Sequence, residues 1–122
     1  MRARFWGSRG SLASPGPDTV RTGGNTSCVE VWTDDGSLVI LDSGTGIRAL
    51  GASLDGTAPK RIDILLSHLH LDHLEGLGFF APLWDRGTEL HIWGPPSPVA
   101  SPCAPSRRSL IPVKFRIESR WV

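Results

Sequence analysis

Three of the four histidines in this 122-residue chain, His68, His70 and His73, fall within six positions, with Asp72 beside the last of them. The spacing H-x-H-x-D-H gathers three imidazoles and one carboxylate, the donor set that a borderline-soft cation such as zinc takes. In an extended segment positions 68 and 70 share a side, because the side-chain period of a strand is two. Asp72 and His73 follow where the backbone is expected to turn into a helix, so they aim at a neighbouring point. Two ligands for one ion and two for a second, a few ångströms apart, is the arrangement this spacing suggests. The competing reading makes Asp72 a cap for the following helix. It explains one residue and leaves three imidazoles that would repel one another when protonated.

The elements around the motif must deliver it to one place. Residues 2–6 read as an opening strand, followed by a loop rich in Gly, Ser and Pro through Asp18. Residues 26–33 alternate, with Cys28, Glu30 and Trp32 on one side and Val29, Val31 and Thr33 on the other, as in a half-buried strand. Asp34-Asp35-Gly36 signals a hairpin turn into the apolar run 37–41, which ends at Asp42-Ser43-Gly44-Thr45-Gly46. A short helix over 47–50, a buried strand over 61–66 and the motif itself come next. Residues 74–80 then read as a helix weakened by Gly76 and Gly78, and 89–94 as a further strand. Strand, helix, strand, helix, strand from 37 to 93 predicts α/β layering. Trp6, Trp32, Trp84 and Trp93 are expected in the core, and Cys28 buried within its strand rather than ligating metal.

Length predicts one domain. No apolar run approaches the roughly 18 residues of a membrane-spanning helix, and the N-terminus has no signal-peptide core, so a cytoplasmic protein without a membrane partner is expected. Two cysteines exclude a disulfide scaffold. The net charge of +1 is uneven. Residues 1–94 hold 8 Lys/Arg and 11 Asp/Glu, a balance of −3, and residues 95–122 hold five basic residues against Glu118, a balance of +4. Six prolines between Pro95 and Pro112 separate a tail, 95–122, from the region 1–94. Within the tail only residues 113–117 alternate, as an edge strand. Its basic charge suits phosphate contact or simply a solvated tail.

The motif resembles the signature of the metallo-β-lactamase superfamily. Phe5-Trp6-Gly7-Ser8-Arg9-Gly10-Ser11, Gly23-Gly24-Asn25-Thr26-Ser27-Cys28-Val29-Glu30-Val31, Leu41-Asp42-Ser43-Gly44-Thr45-Gly46 and the run from Ser67 to Leu77 resemble one branch of it, the hydrolases related to ribonuclease Z and the phosphodiesterase-like enzymes. The resemblance extends over residues 4 to about 96. It implies an αββα sandwich of α+β type with one or two zinc ions at the sheet edge, manganese and iron being alternatives. It further implies that His68 and His70 ligate one ion and that Asp72 and His73 ligate the second. Asp72 would also orient the attacking water, and Asp42 would support the ligand loop. The implied substrate is a small-molecule or nucleotide phosphodiester, with thioester hydrolysis as the alternative. The loops at Ser8-Arg9-Gly10 and Gly24-Asn25-Thr26 are either phosphate contacts, with Arg9 binding substrate, or turns.

The family completes its metal shells with later histidines and an aspartate, yet no Asp follows Asp85 and no His follows His91. His91 matches a non-ligand strand position. The expectation is therefore the first half of the sandwich over 1–94, with one sheet face uncovered. It would arise as a truncated product, as a half-domain completed by a homodimer or partner chain, or with a partial metal centre. A non-catalytic metal-binding half-domain that dimerises is the rival to the hydrolase, and a nucleic-acid module built on 95–122 is a third reading.

Overall fold

The computed structural model describes residues 1–95 and the backbone of 111–114. Its frame is one six-stranded mixed sheet in sequential order, β1 (Arg2–Gly7), β2 (Cys28–Trp32), β3 (Leu38–Leu41), β4 (Arg61–Leu65), β5 (Glu89–Gly94) and β6 (Ile111–Lys114). The first three strands are antiparallel; β3, β4 and β5 run parallel; β6 closes the edge antiparallel to β5. Gly36, at φ 83°, makes the β2–β3 turn that Asp34-Asp35-Gly36 signals.

Parallel neighbours need a crossover, and α1 (Gly46–Ser53) supplies the one between β3 and β4. It is longer than the expected 47–50. Ile47, Leu50, Gly51 and Leu54 recur at helical spacing and are buried, whereas Arg48 and Ala49 are exposed. Alternate residues of the central strands face this helix. Leu38, Ile40, Ile62, Ile64, Leu90 and Ile92 join Cys28, Ile47, Leu50, Leu54, Leu66 and Phe80 in one core. Glu30 is buried on the same face, where it accepts the indole N–H of Trp6 at 2.7 Å and that of Trp32 at 2.5 Å.

The opposite face carries Val29, Val31, Val39 and Leu65, all half-buried, with Leu41 and Phe5 exposed. Among the described residues no element covers it. The second layer of the expected sandwich is not among the described residues.

Several expectations need correction. Residues 74–80 do not form an α-helix; Leu71–His73, Leu77–Phe79 and Ala81–Trp84 are separate 3-10 turns. The reason is packing at Gly76, where a Cβ would stand 2.0 Å from the Gly44 carbonyl oxygen. The backbone there serves the loop beside it instead of a helical ladder. Trp84 is not core: it is 64% exposed and its indole N–H donates to the Gly78 carbonyl across the turn. Trp6 and Trp32 do pack against the core, half-buried, whereas Trp93 is half-buried on the opposite face, its indole N–H donating to Asp63. The expected edge strand 113–117 begins earlier, at Ile111, with Pro112 opposite Trp93 on the sheet's edge, where a missing N–H is tolerated. Residues 115–117 of it lie outside the described residues, as does most of the tail.

Candidate metal centre

Three chain segments meet beyond the carboxyl ends of β3 and β4, the end of a parallel sheet where ligands bind. Asp42 leaves β3 in the left-handed conformation, φ 61°, which short polar side chains tolerate better than most. Its backbone N–H still donates to the Leu65 carbonyl. The turn re-aims its carboxylate toward β4, where Oδ1 accepts the Ser67 N–H at 2.8 Å and the Ser67 hydroxyl at 2.9 Å. Oδ2 lies 2.8 Å from His73 Nδ1 and accepts the Ser27 hydroxyl at 3.2 Å. Burial pushes the Asp42 carboxyl up, but the Ser67 N–H, His73 and the Ser67 hydroxyl together outweigh it and hold the group below the usual carboxylate range.

The next residues lock the loop. The N–H and hydroxyl of Ser43 both donate to the His73 carbonyl, at 2.8 and 2.9 Å, and the Gly76 N–H donates to the Ser43 carbonyl. Close approach requires glycine at both crossing points. A Cβ on Gly44 would meet the Asp72 carbonyl oxygen at 2.4 Å, just as one on Gly76 would meet Gly44. Behind the motif, Glu75 accepts the Thr26 hydroxyl, while Thr26 and Thr45 exchange backbone and hydroxyl hydrogen bonds.

The imidazoles converge. His68 and His70 ring centres are 4.5 Å apart, and those of His68 and His73 are 4.0 Å apart. His68 Nε2 is 3.1 Å from His70 Nδ1, and His73 Nε2 is 3.5 Å from Asp72 Oδ2. Asp72 is buried, and Oδ2 also accepts the Ser11 N–H at 2.8 Å. That bond, opposed by burial and aided by His73, draws the Asp72 carboxyl below its usual range.

As these side chains stand, no group of three or more His, Cys, Asp or Glu among the described residues forms a metal-holding cluster. Donor atoms come in two pairs instead. Two nitrogens bound tetrahedrally to zinc at about 2.0–2.1 Å stand about 3.3 Å apart, and both pairs lie near that separation. The His73 contact fits as well. Metal-ligating histidines hold the other ring nitrogen against a carboxylate, which Asp42 does at His73 Nδ1. The donor types and the bracing suit a metal, but each pair supplies two donors where a catalytic zinc takes three from protein.

His91 lies apart on β5, 2.8 Å from Glu89 and stacked on Trp93. Arg9 is exposed, but its loop is at the site. Arg9 N–H donates to the Asn25 carbonyl, Arg9 bridges Thr26, and two residues on Ser11 touches Asp72. Sequence reasoning did not single out Ser67, Ser27 or Ser11. Only Ser67, adjoining His68, carried a positional hint. A cleft of about 290 Å³ lined by Thr45, Arg48, Glu75, Gly76 and Phe79 adjoins the motif, and no histidine lines it.

A family model described as the metallo-beta-lactamase superfamily matches residues 21–91. No curated protein and no solved structure matched the chain.

Proposed function

We propose that this chain, which belongs to the metallo-beta-lactamase superfamily, is a metal-dependent hydrolase of phosphodiester bonds. One observation carries the reading most directly: a buried carboxylate, Asp42, braces His73 Nδ1 and thereby leaves Nε2 to face Asp72 among the clustered imidazoles. His68 and His70 would hold one zinc ion and Asp72 and His73 a second. A metal held there would supply Lewis-acid chemistry, lowering the pKa of water toward neutral pH.

The chain's own residues do the rest. Asp42 holds His73 in one tautomer and orientation, while Ser67 fixes Asp42 through both N–H and hydroxyl. Asp72 orients the attacking water. Arg9 is exposed on the loop that Ser11 ties to Asp72, and its planar cation would suit two phosphate oxygens at once.

The test is hydrolysis of bis(p-nitrophenyl) phosphate by zinc-loaded chain, beside a p-nitrophenyl thioester. Turnover of the phosphodiester that falls at least tenfold in Arg9→Ala supports the assignment. Thioester cleavage alone, or phosphodiester cleavage indifferent to Arg9, contradicts it.

A further inference from the structure

Ser11 is one of two non-glycine residues with positive φ among the described residues, at 69°; the other is Asp42. L side chains rarely adopt this conformation, and outliers of this kind gather at functional sites. Both residues end at the same place: Asp42 turns its carboxylate onto His73, and Ser11 turns its N–H onto Asp72 Oδ2, 61 residues away in sequence. Asp72 sits in a three-residue 3-10 turn, Leu71–His73, whose N-terminus has no side-chain cap. Among the described residues, the Ser11 N–H is the one donor from outside the motif that reaches its carboxylate.

The arm that presents this N–H is itself fixed. Ser8 and Arg9 donate to the Asn25 carbonyl at 3.2 and 3.0 Å, and Ser14 donates to the Gly24 carbonyl at 2.9 Å. Between those anchors the Leu12 N–H closes onto the Gly10 carbonyl at 2.9 Å, which shapes the turn containing Ser11. The result is a backbone donor with a set direction, independent of any rotamer, aimed at the only carboxylate of the histidine motif.

We infer that Ser11 is a positioning residue: its left-handed backbone holds the Asp72 carboxylate at Oδ2 and couples that carboxylate to the Arg9 loop. The inference rests on the reading of Asp72 as a ligand. Its geometric part, the hold of Ser11 on Asp72, does not.

The experiment uses the full 122-residue chain with Co²⁺ as the metal probe, whose visible absorption reports ligand number and geometry. Ser11→Gly keeps the N–H and the left-handed conformation, and is expected to bind Co²⁺ within about threefold of the parent with the same spectrum. Ser11→Pro removes the N–H and forces φ negative. It is expected to weaken Co²⁺ binding about 10–100-fold, the usual effect of losing a group that orients a ligand, with an altered spectrum. Parent-like affinity and spectrum in Ser11→Pro overturn the inference. Should Ser11→Pro not fold, amide hydrogen exchange in metal-free protein decides. The Ser11 amide is expected to exchange at least tenfold faster in Asp72→Ala than in the parent, and equal rates overturn the inference. Slow exchange that depends on Asp72, in a parent chain that takes up no Co²⁺, upholds the hold on Asp72 and sinks the metal reading instead.

Discussion

Asp42 shows how one residue converts a strand end into a brace. It departs from β3 in a left-handed turn, and in doing so gathers Ser27, Ser67 and His73 onto one carboxylate. Cys28 stands nearby in a different electrostatic position. Burial first, then the charges of Asp42 and Glu30, push its thiol up to about 12. At pH 8 about one part in 10⁴ is then thiolate, the reactive form. In a Cys103→Ser background, iodoacetamide is expected to leave the native protein unmodified and to alkylate Cys28 in denaturant; rapid labelling of the folded chain would contradict the burial. Asp63 supplies a pH prediction away from the motif. Arg61 lowers its carboxyl, against burial, and the Trp93 indole lowers it further. A folded-state value below the ordinary one, about 3.9, stabilises the fold above that pH and loses the contribution as pH falls through the lowered value. Urea midpoints should therefore fall less steeply below pH 4 in Asp63→Asn than in the parent, and identical slopes would count against the pairing.

At the level of elements, the strands were the readable part, because alternation and unbroken apolar runs report burial directly. The run 37–41 and its neighbours 61–66 and 89–94 became β3, β4 and β5, and the histidine motif does follow β4. The segment after the motif was not readable. Apolar residues at 74, 77 and 80 have helical spacing, but Gly76 must fit under the Gly44 carbonyl, a contact that no local pattern encodes. Ser11 was invisible for the same reason, since its partner lies 61 residues away. Gly76→Ala is expected to lower stability and, by lifting residues 72–76 off the Ser43 loop, to weaken metal binding together with it; differential scanning calorimetry and metal titration on the same sample check both. Phe80, fully buried against Gly51 of α1, anchors the far end of this segment. Phe80→Ala should cost about 3–5 kcal/mol in urea unfolding, the range for truncating a buried aromatic. A cost below about 1 kcal/mol would mean that the segment is not held by the core.

The molecule presents two unlike sheet faces. One is sealed by α1 and the 3-10 turns; the other shows Phe5 at 72% exposure and Leu41 at 39%, beside half-buried valines. We propose that a second copy of the chain covers this face, as the expectation of a half-sandwich suggests. Exposed apolar side chains on an uncovered sheet face favour association. Phe5→Asp with Leu41→Asp is expected to shift sedimentation from dimer to monomer, and a monomeric parent chain would contradict the proposal. None of the described helices is long and apolar enough to cross a membrane. The bracing of the histidines lies within residues 11–76.

The most direct test of that reading is zinc bound per chain, measured by elemental analysis after metal removal, zinc loading and dialysis. His70→Ala would run beside His91→Ala, which removes the same residue type from β5. The account predicts one to two zinc ions per chain in the parent and in His91→Ala, and a clear loss in His70→Ala. Zinc content near zero in the parent, or equal in the two variants, would contradict a metal centre built on His68, His70, Asp72 and His73.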